Sequence, residues 1–466
     1  KRAGLVIMPS SVANESQFRF QSSRSQASCP SRTPTATPPS CDVVDQALAE
    51  LQLQSQEIRE KDLHLMASTS KRGRSGWQIK ASKLSNNTHN RIRNIVESLK
   101  IKPNPEKPMI PLSIAHLVTF ALAADETMKA VLHSLESGKF NGYAHTQGHE
   151  VARQAVAKYS AHQRPDGAID PNEVILCSGC SSALEYCILA LADRGQNVLG
   201  LDIEVRYYDL LPDQQWRADL VQLESLIDEN TAALLINNPS NPCGSVFDEK
   251  HLRQLIDICE RHYLPIIADE HMAVSSLTSE VPVLSCGGLT KRFLVPGWRM
   301  GWIIVHDRKQ RLANAIGGLK NMCGRILGSN TIIQGALPEI LTKTPQSYFD
   351  GSNATLAYKM LKSVRGLNPV MPNGAMYMMI GVSIERFPAF KDDTHFVQEL
   401  VNEQSVFCLP GSCFEYPGYV RIVLTVPGAM IEEACARMAE FCERHFKKDS
   451  RAAFIEHGLL DEDLAF

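Results

Sequence analysis

Gly288-Leu289-Thr290-Lys291-Arg292-Phe293-Leu294-Val295-Pro296-Gly297-Trp298-Arg299-Met300-Gly301-Trp302 is the stretch whose reading decides the rest of the chain. One lysine sits in a Gly/Thr turn, and one arginine follows eight residues later among glycines and tryptophans. A lysine amine can condense with an aldehyde to a Schiff base, and an arginine fork can hold a phosphate. Together they suit a phosphorylated aldehyde. A Lys–Arg pair is more often a solvated surface. Here Gly287-Gly288 before it and Pro296-Gly297-Trp298 inside it describe packed backbone of special shape.

Working outward, residues 126–345 alternate buried strands with helices. Val174-Ile175-Leu176-Cys177 is a short apolar strand, and 181–192 is apolar at helical spacing. Residues 232–236 and 264–268 read as buried strands separated by a helix over 249–263. Such alternation predicts an α/β fold, a mostly parallel sheet covered on both faces. Ligands of these sheets bind outside the carboxyl ends of the strands. After about 350 the pattern changes to a helix over 356–364, strands over 374–380 and 419–425, and a closing helix over 431–446, a smaller α+β domain.

The strand ends carry the chemistry. After Cys177 comes Ser178-Gly179-Cys180-Ser181, then a helix. Free backbone N–H groups and the positive end of a helix suit phosphate there, and a plain helix cap at Ser181 explains the pattern equally well. Cys177-x-x-Cys180 also has redox spacing, without a thioredoxin-like context. Next comes Asn237-Asn238-Pro239-Ser240-Asn241-Pro242-Cys243-Gly244, whose two Asn-Pro pairs stiffen a turn that can present an amide. Asp269-Glu270 follows the strand over 264–268. A carboxylate opposite a pyridine nitrogen keeps that nitrogen protonated; taken in isolation, a solvated loop acid is the simpler account. Arg421 lies inside an apolar strand, where a buried guanidinium needs a partner and its planar fork matches a carboxylate.

Composition fits one large two-lobed enzyme or two to three domains: 466 residues, 44% apolar, 21% charged, net charge −3. That charge selects neither nucleic acid nor an anionic membrane. No apolar run reaches the ~18 residues of a membrane-spanning helix. The 13 cysteines are scattered through apolar segments and read as reduced residues of an intracellular protein. Residues 1–75 are expected to be a disordered tail, Ser- and Pro-rich to residue 42, with a weak amphipathic helix on Val44, Leu48, Leu51, Ile58 and Leu65. Its basic, acid-poor start also allows a mitochondrial presequence, so the expected location is cytoplasmic with a mitochondrial alternative. Segment 76–125 is expected to pack on the small domain. A large cofactor domain is expected over 126–349, the small domain over 350–450 and a tail over 451–466.

The order of Gly-rich turn, Asn-Pro turn, strand-end Asp, Lys, Arg and late Arg resembles the fold type I, pyridoxal phosphate (PLP)-dependent aminotransferases of class I/II. Phe140-Asn141-Gly142-Tyr143-Ala144, Gly374-Ala375-Met376-Tyr377 and Cys413-Phe414-Glu415-Tyr416-Pro417 match the family as well. The resemblance runs from about Trp77 to Phe446. It implies that Lys291 binds PLP covalently and then moves the substrate's α-proton. It implies that Asp269 pairs with the ring nitrogen, that Asn241 bonds the ring hydroxyl and lies beside the substrate, and that Gly179, Cys180, Ser181 and Arg299 hold the phosphate. It further implies that Tyr143 reaches the phosphate of a neighbouring subunit, hence a homodimer, and that Arg421 clamps the substrate α-carboxylate. The implied reaction moves the amino group of an aromatic amino acid, tyrosine or phenylalanine, to 2-oxoglutarate. The implied partners are an amino acid and a 2-oxo acid, with no metal, nucleic acid or membrane. A carbon–sulfur lyase, an alanine-type transaminase or a catalytically weakened relative would share the scaffold.

Three places depart from the family. Asn197-Val198-Leu199 and 203–208 read as two strands with only Gly200-Leu201-Asp202 between them, whereas parallel neighbours need a crossover of about a dozen residues. The family carries there an aromatic that stacks on the cofactor ring, worth roughly 0.5–1.5 kcal/mol. Met272 stands where the family has a tyrosine that bonds the ring hydroxyl, with His271 beside it. Ser113-Ile114-Ala115-His116-Leu117 replaces a Gly-Asp-Pro turn near the substrate carboxylate.

Overall fold

The computed structural model describes residues 91–113, 123–164, 166–193, 196, 206–270, 274–349 and 353–447. The tails over 1–75 and 451–466, the amphipathic helix of the first of them, the segment 197–205, His271, Met272 and 114–117 lie outside the described residues. No helix among the described residues is long and apolar enough to cross a membrane.

The larger sheet has five strands: β1 (Val174–Cys177), β2 (Leu234–Asn238), β3 (Ile266–Glu270), β4 (Val283–Gly288) and β5 (Gly301–His306). Their order is β1-β5-β4-β3-β2. β2, β3 and β4 pair in parallel, and β5 runs antiparallel to both β4 and β1. Four of the five strands therefore point one way, and the sheet is mixed through β5 alone. The strands are apolar on both sides because helices pack on both faces. Cys180–Leu191 (α3) lies against one face, with Ile175, Ile267, Leu284 and Ile303 beneath it. Glu150–Tyr159 (α2) and Thr331–Lys343 (α5) cover Val174, Leu176, Trp302 and Ile304 on another side. Glu249–Arg261 (α4) begins at an Asp248 cap and buries Leu252, Leu255, Ile256 and Cys259 against Ile236 and Ile266. Asp125–Glu136 (α1) packs on α5.

Two readings from the sequence are corrected. Arg206, Tyr207 and Tyr208 carry no strand pairing. Instead, the Tyr208 hydroxyl donates to the Leu235 carbonyl of β2 at 3.0 Å, so a side chain satisfies a group that a further strand would have paired. The second correction concerns where strands end. β2 and β3 start two residues later than the apolar runs and continue into Asn237-Asn238 and Asp269-Glu270. Asn237, Asn238 and Asp269 therefore stand on the sheet itself, where alternation aims each side chain to a fixed face.

A four-stranded antiparallel sheet follows, ordered β8-β9-β7-β6, from β6 (Leu367–Pro369), β7 (Tyr377–Val382), β8 (Leu409–Pro410) and β9 (Tyr419–Val423). Ala354–Lys362 (α6), Asp393–Gln404 (α7) and Gly428–His445 (α8) join it around Phe387, Phe396, Phe441 and Met438. Leu99, Ile110 and Leu112 belong to the same core, and Ile110–Pro111 pairs in parallel with Val406–Phe407.

Candidate active site

Register explains why distant residues converge. Asn237 faces Asp269 across β2 and β3, and Asp269 faces Cys286 across β3 and β4. Because β5 runs backwards, its first residue, Gly301, lies beside both Gly288 and Cys177. The turn before Lys291, the turn after Cys177 and Arg299 thus share the carboxyl end of the parallel strands.

Lys291 is in a single helical turn, Leu289–Arg292, directly after β4. Its Nζ lies 3.6 Å from Oδ2 of Asp269. Burial works to lower the lysine pKa, but Asp269 and then Tyr377 outweigh it and hold the amine above its ordinary value. The other carboxylate oxygen, Oδ1, accepts from the Cys180 thiol at 3.1 Å. Lys291, Asp269 and Cys180 thus form one chain of contacts; the sequence named all three, but Cys180 for the phosphate and not as a partner of Asp269.

Gly179 is the N-cap of α3 with φ 88°, and no side chain caps the helix. Ser181 lies inside the first turn and is exposed, so the alternative of a Ser181 cap is excluded. A Cβ on Gly179 would come within 2.4 Å of the Arg299 guanidinium. That guanidinium donates to the Ser178 carbonyl at 3.2 Å and to the Pro296 carbonyl at 3.1 Å. A Cβ on Gly301 would meet the Gly179 carbonyl carbon at 2.5 Å. Two glycines thus let β5, the turn and the arginine close on each other. The result is an uncapped helix N-terminus with a guanidinium against it, a donor set that fits a phosphate dianion. Cys177 is buried with its thiol directed at the Ile175 carbonyl at 3.7 Å, while the Cys180 thiol is engaged by Asp269, and the two form no disulfide. The eleven cysteines of the described residues are free thiols.

Arg421 is 4% exposed at the centre of β9. One terminal nitrogen donates to Oδ1 of Asn241 at 2.7 Å, and the other to the Ser113 carbonyl at 2.8 Å. The guanidinium lies over the rings of Tyr377 (4.2 Å) and Phe414 (4.8 Å), and Nε is buried without a partner. Burial draws its pKa below the usual arginine value, with Tyr377 and Cys413 opposing. Asn241 follows Asn237, whose Oδ1 accepts from the Asn241 backbone at 3.4 Å. The Asn-Pro turn packs on Pro372 and Gly374 through Gly244, so the amide has a fixed seat. Tyr377 and Phe414 have no role in the reading of the sequence. The diagonal position of Tyr377 relative to Arg421 on paired strands was the available signal. Tyr143 is 86% exposed.

A family model described as aminotransferase class I and II matches residues 107–438. The chain belongs to the class I and II aminotransferases. The tyrosine aminotransferase of Mus musculus is 47% identical over 404 residues, 79% of this chain and 88% of that protein. That of Homo sapiens is 46% identical with the same coverage. Among solved structures, tyrosine aminotransferase from Leishmania infantum superposes with a TM-score of 0.74 at 31% identity, covering 80% of this chain and all of that one. Alanine aminotransferase from Pyrococcus furiosus gives 0.69 at 25% identity, covering 78% and 100%. Aminotransferases of this class use PLP. The uncapped helix start beside the Arg299 guanidinium, and the Lys291 amine beside the Asp269 carboxylate, fit such a molecule.

Proposed function

We propose that this aminotransferase transfers the amino group of L-tyrosine, and of phenylalanine, to 2-oxoglutarate. The similarity to mammalian tyrosine aminotransferases supports the substrate. The observation that carries the site is the Lys291–Asp269 contact at 3.6 Å, beside a phosphate-suited helix start.

PLP, when bound, supplies an electron sink that makes the substrate α-proton acidic. Gly179, Cys180, Ser181 and Arg299 hold the phosphate end. Asp269 keeps the ring nitrogen protonated, and Asn241 offers its amide to the ring hydroxyl. Lys291 anchors the cofactor and, once displaced, is a free amine that takes and returns the α-proton. Arg421, fixed between two rings, presents its fork to the substrate α-carboxylate and sets which face of the α-carbon meets Lys291. Tyr143 reaches the phosphate of a second copy, so the working unit is a homodimer. Three exposed apolar residues on α1, Met128, Leu132 and Leu135, at spacings of four and three, support that assembly.

A second reading is a weakened or non-catalytic member of the class. It is favoured by the short link between Leu199 and Ile203 and by Met272. The match to the mouse enzyme also spans 404 residues, more than 79% of a 466-residue chain can supply, so it includes positions without a counterpart here.

One experiment separates them. Purified protein loaded with PLP is assayed with tyrosine and 2-oxoglutarate by analysis of both products, beside Lys291→Ala. The lead reading expects the paired products and a visible cofactor band, with turnover down at least about 1000-fold in the variant. Unchanged spectrum and turnover in Lys291→Ala would refute the assignment; no products from the loaded parent favours the weakened relative.

A further inference from the structure

Cys180 opens α3, on the turn assigned to the phosphate, yet its thiol points elsewhere. Sγ donates to Oδ1 of Asp269 at 3.1 Å, while Oδ2 of the same carboxylate faces Lys291. We infer that Cys180 is a positioning residue for Asp269: its thiol proton fixes the carboxylate rotamer and leaves Oδ2 to serve the cofactor's ring nitrogen. This rests on the reading that Asp269 is the partner of that nitrogen.

The geometry supports the assignment from three sides. β3 ends at Glu270, so Asp269 is on the ladder and its backbone cannot turn to choose a partner. Its side chain has one remaining freedom, rotation about χ1 and χ2, and a donor on one oxygen removes it. The donor comes from the first residue of a twelve-residue helix whose seat is set by the Gly179–Gly301 contact. It is therefore held as rigidly as the strand it serves. The thiol also remains a donor. Burial, followed by the negative charge of Asp269, pushes its pKa well above the ordinary thiol range. A bond from S–H to a carboxylate is charge-assisted, and its loss leaves a part-buried oxygen less well satisfied. Without the donor the carboxylate is free to rotate off the ring nitrogen; that nitrogen would be held protonated less firmly, the ring would withdraw fewer electrons, and the lysine-linked nitrogen would keep its proton to higher pH.

The test uses the full chain stripped of cofactor and titrated with PLP. Two quantities are read from visible absorbance: the dissociation constant, and the pH midpoint of the bound cofactor. Cys180→Ser keeps a donor, and Cys180→Ala removes it. Cys180→Val, close to the thiol in volume, takes the place of the alanine variant should circular dichroism show it unfolded. The expected result is PLP bound about tenfold more weakly in Cys180→Ala, with a midpoint about half a unit higher, and Cys180→Ser close to the parent in both. An unchanged midpoint in the alanine variant, or equal damage in the serine and alanine variants, overturns the inference. Asp269→Asn separates the two levels. A midpoint that does not respond to Asp269→Asn removes the Asp269 reading itself. One that responds to Asp269→Asn and ignores Cys180→Ala removes the role of Cys180 alone.

Discussion

Arg421 shows best how much one residue's chemistry discloses. An arginine inside an apolar strand is expensive unless paired, and that cost made it a site candidate from sequence. In the fold it is paired with two neutral acceptors, Asn241 and the Ser113 carbonyl, and sandwiched between two rings. No carboxylate of the described residues forms an ion pair with it, so its full charge is held in place by dipoles. A lysine there keeps the charge but loses the fork and the stacking. Arg421→Lys should therefore lower kcat/KM for tyrosine by about 100-fold, the equivalent of losing roughly 2–3 kcal/mol of charge-assisted bonding. The cofactor band should be retained. Steady-state kinetics against both substrates checks this, and a change under threefold would remove Arg421 from the carboxylate site. Singly, Lys291 and Asp269 read more simply as solvated groups; the site was legible because the order of Gly-rich turn, Asn-Pro turn, strand-end Asp, Lys, Arg and late Arg resembles one family. The second partner of Asp269 was not, because Cys180 is 89 residues away and a thiol in a Gly-rich turn has no distinctive pattern of its own.

At the scale of elements, apolar runs located β1, β2, β3, β7 and β9, and helical spacing located α3, α4 and α8, since those patterns are local, while β4 and β5, which flank Lys291 and Arg299, were not read as strands. Strand ends and neighbours were less legible. Asn237 and Asp269 extend their strands because a backbone ladder is indifferent to side-chain polarity, which hydropathy alone cannot register. The reversed direction of β5 was also unreadable, since it depends on where the chain after Lys291 turns back. α1 offers an element-scale prediction. Met128, Leu132 and Leu135 are 47%, 54% and 52% exposed along one side of a twelve-residue helix, while Ala130 and Ser134 face inward. A second copy of the chain would remove that stripe from water. Leu132→Glu places a charge in its centre and should raise the dimer dissociation constant by at least about 100-fold. Analytical ultracentrifugation over a concentration series reads it directly. A variant as dimeric as the parent would exclude this face, and a monomeric parent would exclude the homodimer.

For the molecule as a whole, the site depends on contacts of very long range: Ser113 meets Arg421 across 308 positions and Asn241 meets it across 180. Anything that loosens the fold at its other end therefore threatens the chemistry without touching it. His306 is such a point. It closes β5 at the end opposite Gly301, is 5% exposed, and accepts at Nδ1 from Arg164 Nε at 3.2 Å. Arg164 is tied in turn to Glu173 at 2.7 Å, so the guanidinium cannot withdraw from the ring. Burial, then Arg164 and Arg308, hold the imidazole pKa down to about 3. In the unfolded chain it returns to about 6.5. Below that value the unfolded state binds a proton that the folded state refuses, so stability present above about pH 6.5 is lost progressively toward pH 3. At pH 5 the loss amounts to about 2 kcal/mol from this residue. His149 and His251 are lowered mainly by burial and act in the same direction. Unfolding free energies from denaturant titrations at pH 7 and pH 5 should accordingly differ more in the parent than in His306→Gln, by about 2 kcal/mol, whatever the variant's own stability at pH 7. Parallel pH slopes in the two proteins would show that His306 accepts its proton in the fold, and that the Arg164 contact does not constrain it.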